Sequence, residues 1–230
     1  MDSLRRVSEH CISAKRRGSL ASAPGAVNAT RTELARVRYF AAVSIFWSSL
    51  LIVALAEMGD KTQLIALSLA SRYRRPWSVL GGIFIATLAN HALASSVGVW
   101  VASRLSAAVL GWVLGLGFIA FGIWTLFPDR VEEREPPGRW GPLLTTTVVF
   151  FLAEMGDKTQ LATVALGARY HSTVAVTAGT TAGMMLADGL AVFAGTTLTR
   201  VLPMARLRLI AALLFFAFGL TAIAATLGLF

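Results

Sequence analysis

From Phe40 onward the chain is a succession of long apolar stretches, each at or above the roughly 20 residues that cross a hydrocarbon core about 30 Å thick. Six such stretches can be drawn, at 41–70, 77–101, 106–127, 142–168, 173–198 and 207–229. Between them lie short segments rich in arginine, proline and glycine. A soluble chain of 230 residues has no core large enough to hide six segments of this kind. Composition agrees: 14% of the residues are charged, where a soluble domain carries roughly 25%. The expected fold is therefore all-α and polytopic, with six transmembrane helices in contact with a lipid bilayer.

The formal charge of +9 does not indicate a nucleic-acid partner. Eight of the 21 Lys and Arg residues precede Phe40 and the others cluster at the ends of apolar stretches, where anionic headgroups and the positive-inside rule account for them. No aromatic residues alternate with them in a groove-like pattern. Residues 1–40 read as a disordered basic tail, with a targeting segment or an over-extended start as alternatives; no apolar core of a secretory signal precedes Phe40. The single cysteine, Cys11, lies in this tail and carries no redox information.

The second constraint is an internal repeat. The octapeptide Glu-Met-Gly-Asp-Lys-Thr-Gln-Leu occupies 57–64 and again 154–161, a shift of 97 residues. The register continues without a gap: Arg72-Tyr73 falls on Arg169-Tyr170, Gly82 on Gly179, Leu93-Ala94 on Leu190-Ala191, and Ala120-Phe121-Gly122 on Ala217-Phe218-Gly219. Residues 50–127 and 147–224 share 26 identities in 78 positions. Shared hydrophobicity explains some of these, but not an identical octapeptide. The chain thus divides into a first three-helix repeat at 41–127, a charged, Pro-rich linker at 128–141 and a second three-helix repeat at 142–230. An odd number of spans per copy makes the second copy enter from the opposite face, and inverted repeats are a device of secondary transporters.

The chemistry-bearing residues sit inside the repeated octapeptide. On a continuous helix Glu57, Asp60 and Gln63 share one face, as do Glu154, Asp157 and Gln160. Carboxylates facing lipid are costly, so these are expected to face a protein interior or a watery cavity. Glu57 with Lys61, and Glu154 with Lys158, stand at i,i+4 and could simply pair; Asp60 and Asp157 would still leave each motif negative. Four carboxylates brought to one axis repel unless they hold protons or a cation. With the amide carbonyls of Gln63 and Gln160 and the hydroxyls of Thr62 and Thr159, the set is almost wholly oxygen, which suits hard divalent ions such as Ca2+ and Mn2+. Gly59 and Gly156 either pack closely or break the helix. Residues 41–70 as one helix would measure about 45 Å, longer than the core, which favours a tilt or a break. Two further positions are polar in mid-span. His91, beside Asn90, falls on Asp188 at the 97-residue shift; Asp188 reads as a supporting or proton-relay carboxylate, and His91 as either functional or a satisfied interior histidine.

Charge bias between loops favours a cytoplasmic 128–141 segment. Arg72, Arg74, Arg75, Arg130, Arg134, Arg139, Arg200, Arg206 and Arg208 flank one side, against Arg104 and Arg169 on the other. Arg31, Arg36 and Arg38 argue the opposite way.

The doubled Glu-x-Gly-Asp-Lys-Thr segment, at 57–62 and 154–159 in the first span of each half, resembles the GDT-type family of Ca2+/Mn2+:H+ antiporters. That family includes bacterial manganese exporters and Golgi and chloroplast cation transporters. The resemblance covers roughly residues 41–230. It implies a secondary transporter, not an enzyme, that exchanges Mn2+ or Ca2+ for protons, with Glu57, Asp60, Glu154 and Asp157 binding the cation and Asp188 supporting them. It implies no permanently bound cofactor and a place in a bacterial cell membrane, or an organelle membrane in a eukaryote. The residues alone leave open a cation channel or an amino-acid exporter of similar architecture, a non-transporting membrane factor, and a monomer or homodimer.

Overall fold

A computed structural model describes residues 24–127, 140–194 and 204–229, all helical or in the turns between helices. Residues 128–139 of the expected 128–141 linker, the end of the fifth stretch and most of the basic tail lie outside the described residues. Eight helices are seen among them: α1 Pro24–Glu57, α2 Lys61–Tyr73, α3 Pro76–Ala102, α4 Ala107–Thr125, α5 Pro142–Glu154, α6 Lys158–Tyr170, α7 Thr173–Ala194 and α8 Met204–Thr226. The chain separates into two compact units, Met1–Ala42 and Val43–Phe230.

In the first unit, residues 24–42 are helical. The segment is rich in good helix formers and Glu33 pairs with Arg36 one turn on, at 3.7 Å. Leu34, Val37, Tyr39 and Phe40 are exposed.

In the second unit the main departure from a simple row of spans lies at the octapeptides. The stretch 41–70 is not one helix: α1 stops at Glu57 and α2 starts at Lys61. The stretch 142–168 divides the same way, between Glu154 and Lys158. Among the described residues five helical segments are long and apolar enough to cross a bilayer, namely Glu33–Glu57, Pro76–Ala102, Ala107–Thr125, Thr173–Ala194 and Ala205–Thr226; Pro142–Glu154 is apolar but shorter.

Each break has a local cause. Gly59 and Gly156 take φ of 80° and 77°, in the left-handed region that side-chain-bearing residues adopt only at a cost. The next residue, Asp60 or Asp157, is extended and stands as N-cap of the following helix. The freed amide of Gly59 donates to Gln63 Oε1 at 2.9 Å, and that of Gly156 to Gln160 Oε1 at 2.7 Å. Both short helices then end on a left-handed residue, Arg74 and His171, each with φ 51°.

Small residues let the helices touch. A Cβ on Gly82 of α3 would stand 2.7 Å from the Leu143 carbonyl and 2.6 Å from Thr146 on α5. A Cβ on Gly179 of α7 would stand 2.4 Å from the Phe46 carbonyl and 2.9 Å from Ser49 on α1. Every residue of the second contact is 97 from its counterpart in the first. Helices α4 and α8 pack together through Gly122 under Phe216 and Gly219 under Ile119, again a matched pair, and through Phe118, Phe121, Phe215 and Phe218. Helix α3 packs against α5, α6 and α7, and α2 against α7, which carries both breaks into the interior. Large apolar side chains such as Trp77, Leu93, Trp100, Leu116 and Leu213 are exposed, as lipid contact requires and water would penalise.

Candidate functional site

The two breaks meet. Carboxylate oxygens of Glu57, Asp60 and Asp157 all lie within 4.8 Å of one another, and all three residues are buried. Glu57 ends α1, Asp60 starts α2 and Asp157 starts α6, so the convergence needs both helices broken and both glycine turns aimed inward. Three carboxylates at this spacing away from bulk water are tolerable only with positive charge beside them or protons on them.

Part of that charge is supplied by lysines, and not as the i,i+4 pattern suggested. Lys158 Nζ lies 2.7 Å from Asp60 Oδ1, and Lys61 Nζ lies 3.4 Å from Asp157 Oδ2. Each lysine therefore reaches the aspartate of the other octapeptide. The expected pairing of Glu57 with Lys61 and of Glu154 with Lys158 is replaced, because the turn at the glycine removes the helical geometry that i,i+4 pairing requires. The shared helix face proposed for Glu57, Asp60 and Gln63, and for their counterparts, fails for the same reason. Asp157 also caps its own helix, accepting from the Lys158 amide at 2.7 Å.

Thr62 donates its hydroxyl to Glu57 Oε2, while Glu57 Oε1 has no hydrogen-bond partner among the described residues. Gln63 and Gln160 brace the turns: their carbonyl oxygens accept the glycine amides, and Gln63 Nε2 donates to the Ala187 carbonyl at 2.9 Å. Thr159 is buried, its hydroxyl unpartnered among the described residues.

Glu154 is not part of the three-oxygen cluster. It is fully buried, with Oε2 3.7 Å from His91 Nε2. Asp188 on α7 is likewise buried, and neither oxygen has a hydrogen-bond partner among the described residues. Asn90 donates to the Phe151 carbonyl at 3.0 Å and ties α3 to α5. Among the described residues the three-oxygen cluster thus takes in three of the four expected acids, with Glu154 lying beside His91.

Sequence reasoning passed over several neighbours. Arg208 on α8 donates to the Gly59 carbonyl at 3.1 Å, an interaction with no counterpart at Gly156 because position 111 is glycine. Ser95 and Thr177 join α3 to α7 at 2.7 Å. Ser49, Thr87 and Thr181 are buried with unpartnered hydroxyls among the described residues. Hydroxyl residues recurring in mid-span were the available signal for these serines and threonines.

Helices long and apolar enough to cross a bilayer, with two chain breaks at buried acids, define an integral membrane protein. The GDT1 family model, described as "Divalent cation/proton antiporter GDT1", matches residues 45–133 and 142–228, and the chain belongs to that family. It is a transporter and not an enzyme. It is 46% identical over 174 residues to the "Putative manganese exporter" of Vibrio cholerae, covering 75% of this chain and 87% of that one. It is 29% identical over 199 residues to a GDT1-like protein of Synechocystis, covering 77% and 95%, and 28% identical over 203 residues to GDT1-like protein 4 of Oryza sativa subsp. indica, covering 76% and 72%. No solved structure matches the chain.

Proposed function

We propose that this protein exports Mn2+ in exchange for protons, with Ca2+ as the other ion its oxygen-rich site suits, and that it does so in a bacterial cell membrane. The observation that carries the reading is the trio of Glu57, Asp60 and Asp157, whose oxygens lie within 4.8 Å of one another inside the protein. Hard divalent ions take oxygen ligands, and carboxylates from two chain breaks can close around one ion. The resemblance of most of the chain to the Vibrio cholerae protein, with manganese export in its printed name, supports Mn2+ as the first cargo.

The same reading assigns six crossings in two inverted halves. The pair α1 and α2 makes the first crossing and α5 with α6 the fourth; α3, α4, α7 and α8 supply the others. Contacts that recur at a 97-residue spacing support it: Gly82 with Thr146 and Gly179 with Ser49, Lys61 with Asp157 and Lys158 with Asp60. Interrupted helices meeting at mid-membrane are how transporters place irregular backbone without exposing it to lipid. When the cation leaves, the carboxylates regain their mutual repulsion and take up protons; Glu154 and Asp188, buried and outside the trio, are the positions for a proton that stays bound while the ion moves.

The test is uptake by proteoliposomes of the purified full chain, comparing Mn2+, Ca2+ and Mg2+ with and without an imposed pH gradient. Mn2+ uptake accelerated by an outward-directed proton gradient is expected. Uptake of Mg2+ in preference to both other ions, or indifference to the gradient, would refute the assignment.

A further inference from the structure

The two interlocking ion pairs are alike in partners but not in surroundings. Lys158 is deeply buried, its side chain 4% exposed, with Nζ at 2.7 Å from Asp60. Lys61 is 24% exposed and its Nζ stands off at 3.4 Å from Asp157. The turns differ in the same sense. The Gly59 turn is partly buried under Arg208, whereas Met155 and Gly156 are exposed. One side of the acidic cluster is therefore shut and tightly paired, while the other is open and loosely paired.

Lysine is rare in this chain. Of 21 basic residues three are lysines, Lys15, Lys61 and Lys158, so two of the three lie in the octapeptides while arginine serves nearly everywhere else. The two cations differ physically. Guanidinium makes a planar, two-pronged grip on carboxylate; ammonium is a compact, strongly hydrated point charge on a flexible stem. A compact charge is the better stand-in for a metal cation, and a flexible stem lets it withdraw toward water.

We propose that Lys61 is an internal counter-ion that the incoming divalent cation displaces from Asp157, while Lys158 stays on Asp60. This deepens the exchange reading and rests on it. Electrostatics favour it: the trio already has the ammoniums of Lys61 and Lys158 beside it, so a divalent ion arriving with both in place brings three cationic groups together. Withdrawal of Lys61, the more exposed and more loosely paired of the two, relieves that repulsion. Lys61 is then a gating residue, and its departure leaves Asp157 with an oxygen turned to the ion.

The experiment uses the purified full chain in detergent with Mn2+ as probe. Lysines are acylated briefly with a water-soluble activated ester and read by peptide mass spectrometry, with Lys15 as internal reference. Saturating Mn2+ is expected to raise acylation of Lys61 several-fold over Lys15, with Lys158 unreactive throughout. In parallel, equilibrium binding of radiolabelled Mn2+ to Lys61→Met should be about fivefold tighter than wild type, since the competing ion pair of a partly exposed lysine is gone. Lys61→Arg, which keeps a gripping charge on Asp157, should bind no tighter than wild type. Mn2+ that binds wild type yet leaves Lys61 acylation unchanged or lower, or a Lys61→Met variant that binds more weakly, would overturn displacement while leaving exchange standing. Failure of wild type to bind either Mn2+ or Ca2+ would overturn both.

Discussion

Lys158 Nζ and Asp60 Oδ1 are 2.7 Å apart although 98 residues separate them in sequence. The pair is buried on both sides and joins the start of α6 to the start of α2, so it locks the two breaks against each other. Removing one partner of a buried ion pair strands a charge, which costs about 3 to 5 kcal/mol. Lys158→Met and Asp60→Asn should each lower the thermal unfolding midpoint in detergent. Combining Lys158→Met with Asp60→Leu, which removes both charges, should recover much of that loss. A double variant as unstable as the sum of the singles would show that the pair is not what holds these helices together.

Gly156 tests the break itself. Its φ is 77°, and a Cβ there would meet no atom within 4 Å, so the penalty for alanine is purely one of backbone conformation. Gly156→Ala should destabilise by about 1 to 2 kcal/mol. Gly156→Asn should cost less, because asparagine visits the left-handed region more readily. Thermal unfolding in detergent would measure both. Equal stability of alanine and glycine at 156 would mean that the turn is not required to be left-handed.

The separation of Glu154 from the trio makes the acids distinguishable. Asp157→Asn removes a charged ligand from the cluster and should weaken Mn2+ binding by about tenfold or more, since ligand charge count sets affinity for hard cations. Glu154→Gln leaves the trio intact, and the same equilibrium binding measurement should give a dissociation constant near that of wild type. Its defect should appear in transport, as slowed exchange. Loss of Mn2+ binding in Glu154→Gln equal to that in Asp157→Asn would place Glu154 among the ligands and remove the distinction.

The residues that form the cluster are visible in the sequence, because acids inside apolar stretches must find an interior place and the repeated octapeptide marks where they do so. A break is foreseeable from the glycine between the acids and from a first stretch too long for the membrane. The partners are not. Local spacing puts Lys61 on Glu57, yet the turn at Gly59 abolishes that geometry. The real partner, Asp157, comes from a helix whose position depends on close approaches such as Gly82 to Thr146 and Gly98 to the Val164 carbonyl. The neighbouring of His91 and Glu154 depends on the same packing of α3 on α5. The helix before Phe40 is not legible either, because a basic, small-residue composition suits a tail and an exposed helix equally.

Coupling of cation to proton flux is the claim on which the rest depends, and a pH-sensitive dye trapped inside proteoliposomes tests it most directly. With membrane potential clamped, Mn2+ is added outside and its uptake and the internal pH are followed together. Inward Mn2+ movement by wild type should alkalinise the lumen as protons leave, with both signals lost in Asp157→Asn. Sustained Mn2+ uptake with no change in internal pH would contradict exchange and leave a uniporter or channel.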